Sequence, residues 1–144
     1  MKYVIVYSSR YGNGKKCVDF VNEKLRAKGH DVQVINAPEA DPANLPPADM
    51  YIFSGATEAF NIAAGIRKYL KKLPVMEGQK YALISTHAMD RAIALNKMEK
   101  LLSNKKKMKK VSTIDFRIGD GSSEGNGLPD GYEEKLTKWV GEIG

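Results

Sequence analysis

A chain of 144 residues with 42% hydrophobic and 28% charged residues is globular in composition, and it is expected to form one domain over residues 1–144. No apolar run approaches the roughly 20 residues of a bilayer span, so membrane insertion is not expected and a cytoplasmic protein is. A single cysteine, Cys17, excludes an intrachain disulfide, the two histidines do not suggest a metal centre, and a net charge of +6 with a sequence pI of about 9.3 favours an anionic ligand or partner.

The run Tyr3–Tyr7 (YVIVY) is β-branched and aromatic, the pattern of a strand buried on both faces. After the turn Ser8–Gly14, Cys17, Phe20, Val21 and Leu25 recur at helical spacing, and Gly29 stands where the helix should end. This stripe makes Cys17 a packed thiol. The more polar Asp31–Ile35 fits an edge strand, followed by a proline-rich surface loop over Ala37–Asp49. Met50–Phe53 opens a third strand ending at Ser54 and Gly55, and Ile62, Ile66, Leu70 and Leu73 mark a helix closed by Pro74. Lys80–Ser85 gives a fourth strand. Ala94, Leu95, Met98, Leu101 and Leu102 form the buried face of the helix after it, and Val111–Ile118 gives a fifth strand. The last helix takes Asp130 as its N-cap, Glu133 three residues later, and Tyr132, Leu136, Trp139, Val140 and Ile143 as its stripe, which makes Trp139 a core residue.

Strands alternating with helices imply a parallel sheet covered on both faces, a three-layer α/β sandwich of five strands in the doubly wound order 2-1-3-4-5. Ligands of such sheets sit beyond the carboxyl ends of the strands, where the strand order reverses. The loops after Tyr7, Phe53 and Ser85 are therefore the ones to inspect.

The first of them, Ser8-Ser9-Arg10-Tyr11-Gly12-Asn13-Gly14, places hydroxyls, a guanidinium, an amide and two glycines between a buried strand and a helix start. Glycines let backbone amides converge on one anion, and the helix dipole adds roughly 0.3–1 kcal/mol of attraction. A glycine-rich turn whose hydroxyls cap the helix is the alternative. A nucleotide triphosphatase loop fails, since Ser9 stands at its first glycine and Lys16 at its magnesium-binding hydroxyl. A dinucleotide fingerprint lacks its third glycine, and a phosphoacceptor site lacks its carboxylates, having serines after strands one and three.

A strand followed by S-S-R-Y-G-N-G resembles the phosphate loop of the flavodoxin family, short-chain type, and the resemblance extends along the chain in element order and length. It implies FMN as cofactor, with Ser8, Ser9, Arg10, Tyr11, Gly12, Asn13 and Gly14 around the phosphate. The family usually has Thr at the position of Gly14. The ring would lie between Thr57-Glu58-Ala59-Phe60-Asn61 and Thr86-His87-Ala88-Met89, with Phe60 and Met89 as its apolar cover. Phe60 as a core residue and His87 as a packing or capping residue are the alternatives. Electron-carrying members usually flank the ring with Trp and Tyr and place a glycine where Glu58 and Ala59 stand, so strong stabilisation of a one-electron state is not implied.

The function the resemblance implies is FMN-dependent electron transfer between redox partners, in which no catalytic side chain and no metal is required. An FMN-dependent reductase or oxidase of a quinone or another small acceptor is the alternative, and a flavodoxin-fold binding module without flavin is the second. The basic charge points to an acidic protein partner. The stretch Asn104–Lys110 (NKKKMKK) is placed at the amino end of the sheet as a solvated turn, with no RNA-binding signature, so no nucleic-acid partner is expected. Gly119–Gly131 reads as a long loop on the ligand side, either a lid or an irregular connection.

Overall fold

The computed structural model describes residues 1–120 and 122–144. Its strands are β1 (Lys2–Tyr7), β2 (Asp31–Asn36), β3 (Met50–Glu58), β4 (Asn61–Ile62), β5 (Lys80–His87) and β6 (Lys109–Arg117). Its α-helices are α1 (Asn13–Ala27), α2 (Ala64–Lys72), α3 (Ile93–Lys100) and α4 (Tyr132–Ile143). Five strands pair in parallel in the order β2-β1-β3-β5-β6. That is the expected doubly wound order, with one short antiparallel strand, β4, added to the end of β3.

Alternation along the central strands explains the three layers. In β1, Tyr3 and Ile5 point into a core with Cys17, Val21 and Leu25 of α1 and Leu136, Trp139 and Val140 of α4. Val4 and Val6 point the other way, into a core with Ile66, Tyr69 and Leu70 of α2 and Ala94 and Met98 of α3. Both faces exclude water, so every residue from Tyr3 to Val6 is fully buried, each apolar side chain contributing about 1.5–3 kcal/mol. Trp139 completes its burial by donating its indole N–H to Ser112 Oγ at 3.1 Å. Cys17 sits within the first core, where desolvation pushes its thiol up to about 12.

The ends of the elements follow local chemistry. Gly29, at φ +87°, ends α1: its amide donates to Arg26 O and that of His30 to Leu25 O, satisfying two terminal carbonyls. Helix α3 runs on through a wider turn, Leu101–Lys105, that keeps Leu102 buried. At α4 the expected Asp130 cap is displaced by one residue. Gly131, at φ +80°, holds the cap position without a side-chain bond, so the exposed Asp130 lies outside the helix start. The lysine-rich turn does lie at the amino end of the sheet, bonded to the segment before β5 through Lys106 O and Lys107 O. Among the described residues, no helix is long and apolar enough to cross a membrane.

Candidate functional site

β1, β3 and β5 end on one edge of the sheet, and α1, α2 and α3 begin just beyond it. A helix start leaves amides without intrahelical acceptors, and none of the three has a capping side chain at its own N-cap residue, Gly12, Ala63 or Ala92. Hydroxyls from the strand ends take that role. Ser9 Oγ accepts from the Gly12 and Lys15 amides at 3.1 and 3.2 Å, in the first turn of α1. Ser8 Oγ accepts from Ile66 N of α2 at 3.1 Å, and Thr57 Oγ1 from Ala94 N of α3 at 2.9 Å. Only Ser9 serves the adjoining helix; Ser8 and Thr57 act across long stretches of sequence.

Ser8 and Ser9 thus have structural work whatever binds here, and each retains a proton to donate. They line a cavity of about 30 Å³ with Arg10, Tyr11, Asn13 and Gly14, facing Ala56, Glu58, Thr86 and Ile118 across it. Among the described residues the amides of Arg10, Tyr11 and Gly14 meet no acceptor. The cavity holds roughly two or three water-sized groups, the scale of an oxyanion and not of an organic ring. Its lining offers donors at the start of α1 and includes Arg10, whose guanidinium lies over the Tyr11 ring, 5.1 Å from its centre. This donor set fits a phosphate monoester. Gly12 shapes the turn at φ +96°, whereas a Cβ on Gly14 would come no closer than 3.6 Å to Ser54 Oγ, so a side chain fits there.

The segment before α4 packs against this loop, a contact that the sequence does not reveal. Gly127 N donates to Asn13 Oδ1 at 2.9 Å, Lys16 Nζ to Asn126 Oδ1 at 3.0 Å, and Gly119 N to Gly127 O at 2.9 Å. Gly125, at φ +76°, passes so near that a Cβ would stand 2.6 Å from Tyr11 O. Within the proposed loop Gly119–Gly131, Gly121 lies outside the described residues.

The second expected loop is largely strand. β3 continues through Glu58, and Glu58 pairs with Asn61 across a two-residue turn of Ala59 and Phe60, at φ +47° and +60°. Two successive left-handed residues make the tight hairpin turn that glycine and asparagine favour, here at a cost of about 1–2 kcal/mol per residue. The turn is held by Lys97 Nζ, which donates to Phe60 O at 3.2 Å, by Arg67 to Ile62 O at 3.0 Å, and by Ala63 N to Ala56 O at 2.8 Å. Phe60 is consequently lifted out of the core, 62% exposed, and with Met89, 51% exposed, it lines an apolar hollow of about 250 Å³ beside Asp90, Arg91 and Ile93.

The expected residues therefore divide between places. Thr86 and Glu58 join the first-loop cavity, Phe60 and Met89 the hollow, and the exposed Ala88 lines neither. Asn61 is half-buried, its Oδ1 accepting from Ile62 N at 2.8 Å. His87 is buried, with Nδ1 2.8 Å from Asp115 Oδ2 but without the alignment of a directed hydrogen bond. Asp115 escaped sequence reasoning. It lies in β6 opposite Ser85, a register visible only once the two strands are paired.

The open, doubly wound parallel α/β sheet places this small cavity at its carboxyl edge, where sheets of this architecture take their ligands. Residues 4–119 match the family model for the flavodoxin domain, and the chain belongs to that family. Its fold is similar to a flavodoxin of Streptococcus pneumonia TIGR4, with a TM-score of 0.79 and 19% identity over 99% of this chain and 97% of that one. It is also similar to a flavodoxin from the domain Archaea, with a TM-score of 0.75 and 18% identity over 99% of this chain and 96% of that one. Rubredoxin oxygen:oxidoreductase from Desulfovibrio gigas contains a similar unit, with a TM-score of 0.82 and 13% identity over 99% of this chain and 35% of the larger protein. No curated protein sequence matches the chain.

Proposed function

We propose that this chain binds FMN at the carboxyl edge of its sheet and carries electrons between redox partners. Membership in the flavodoxin domain family supports the reading at the level of the family. The observation that carries it for these residues is the small cavity lined by Ser8, Ser9, Arg10, Tyr11, Asn13 and Gly14 of the first loop, where the Arg10, Tyr11 and Gly14 amides meet no acceptor among the described residues. In this reading those groups and the Arg10 guanidinium hold the phosphate, Gly12 shapes the turn, and Asn13 fixes it to the segment before α4. Glu58 and Thr86 offer acceptors to the polar edge of the ring, and Ala59 and Asn61 set the tip that presents Phe60. Phe60 and Met89 cover the ring, with His87 and Ala88 behind them at its rim. FMN, when bound, supplies the redox chemistry by taking up and releasing electrons one or two at a time.

A carrier is favoured over a reductase of small molecules because the apolar hollow lies open at the surface, between two of the most exposed large side chains of the chain. A quinone site needs walls above the ring, whereas a carrier needs an edge that a large partner can approach. The test is reconstitution: protein mixed with excess FMN and then desalted should retain one flavin per chain, seen in its visible absorption and quenched fluorescence. A folded protein that emerges colourless overturns the proposal.

A further inference from the structure

The charge of this chain is not spread evenly. Residues 61–110 contain 13 Lys and Arg against three acids, while the remainder contains 10 against 14. The excess of +6 is thus a strongly positive third of the chain set against a mildly negative remainder. The fold gathers most of this positive charge on one side, because α2, α3 and the lysine turn all lie on the same face of the sheet.

Between α2 and α3 runs a groove of about 380 Å³ whose charged residues are Arg67, Lys71, Lys97, Lys100 and Lys105. No acid lines it, and Glu99, the acid of α3, turns to Lys110 at 3.2 Å. The groove is continuous with the hairpin tip. Asn61 forms part of its wall, Lys97 Nζ reaches Phe60 O, and Phe60 opens the apolar hollow next door.

We infer that this groove and the adjoining hollow form the docking surface for an acidic protein partner, carboxylates entering between α2 and α3 while an apolar side chain meets Phe60 and Met89. An apolar centre with a charged rim is the anatomy of a transient protein interface. Among the described residues the groove holds no aromatic platform on which bases could stack, which favours a protein over a nucleic acid. The opposed charges of the two parts would turn an approaching acidic partner toward the α2–α3 face before contact. The surface rests on the flavin reading in one respect: its position beside the ring edge is what would make docking productive.

The experiment measures binding of a labelled, short glutamate-rich peptide by fluorescence anisotropy at low salt, with a single-stranded DNA of equal length as competitor. Wild type, K71E/K100E, and K135E/K138E on the opposite face are compared, each with its FMN titration. K71E/K100E should weaken peptide binding by about tenfold or more and K135E/K138E by far less. Equal losses in both variants, no peptide binding by folded wild type, or tighter binding of the DNA would each overturn the proposal. Failure of the flavin reading shows separately: FMN would then not bind to any of the three proteins, whatever the peptide does.

Discussion

Gly14 and Gly65 occupy the same position, the second residue of α1 and of α2, yet replacing them by alanine should act in opposite directions. Alanine is favoured over glycine in a helix by up to about 1 kcal/mol, so propensity alone stabilises both variants. Contacts decide the difference. A Cβ on Gly14 meets Ser54 Oγ at 3.6 Å and Ser9 Oγ at 3.7 Å, ordinary contact distances. A Cβ on Gly65 stands 2.9 Å from Ser8 Cβ, 3.1 Å from Pro38 Cγ and 3.2 Å from Ser8 Oγ, where the end of β1 cannot yield without shifting α2. That crowding costs about 1–3 kcal/mol, and stretching the bond from Ile66 N to Ser8 Oγ adds about 0.5–1.5 kcal/mol. Gly65→Ala should therefore be less stable than wild type by about 1–3 kcal/mol, while Gly14→Ala should equal or exceed it, keeping its FMN affinity. Urea denaturation monitored by Trp139 fluorescence measures both. If Gly65→Ala proves as stable as Gly14→Ala, the close approach of α2 to Ser8 is wrong.

Thr57→Val keeps the shape of the side chain but strands the Ala94 amide, and should cost about 1 kcal/mol in urea denaturation with faster hydrogen exchange at the start of α3. Gly125→Ala drives a Cβ against Tyr11 O, so FMN affinity should fall about tenfold, roughly 1.4 kcal/mol; an unchanged flavin titration would detach that segment from the site. The Cys17 thiol, raised by burial from 9.0 to about 12, keeps its proton in the folded protein while the unfolded chain loses it above about pH 9. Its contribution to stability is complete below pH 9 and disappears between about 9 and 12. Cys17→Ala should accordingly show a shallower fall of unfolding free energy across that window than wild type, and parallel curves would contradict the burial.

The layers of the fold were legible because they are written in short-range periodicity. Tyr3–Tyr7 and Lys80–Ser85 are continuous apolar runs, and the stripe of Leu136, Trp139 and Val140 repeats at helical spacing. The hairpin after β3 was not legible, since Ala59 and Phe60 carry none of the glycine or asparagine that marks such a turn; bonds from Lys97, Arg67 and Ala63 hold it against its local preference. Asp130 misled for the opposite reason. It has the composition of a cap, but the chain enters α4 through a left-handed Gly131 one residue later. At the candidate site the first loop was visible as a cluster of small polar residues and the strand order pointed to Glu58 and Thr86 beside it, while Gly125 and Gly127 became its neighbours only in the folded chain.

The three hydroxyls explain why capping and ligand binding need not be competing readings of such a loop. A serine or threonine oxygen that accepts from a helix amide keeps its own proton to donate, so at Ser8 and Ser9, which also line the cavity, fixing a helix and offering a donor to a ligand are compatible. Because Ser8 and Thr57 cap helices remote in sequence, the placement of α2 and α3 and the direction of these donors are set together. Disturbing either hydroxyl should thus move a helix as well as remove a donor. Ser8→Ala should lose stability by about 1 kcal/mol even in the absence of flavin, and lose FMN affinity beyond what Thr57→Val loses, since only Ser8 also lines the cavity. Paired urea and flavin titrations of the two variants separate these effects, and equal losses of affinity would show that the Ser8 proton plays no part in holding the phosphate.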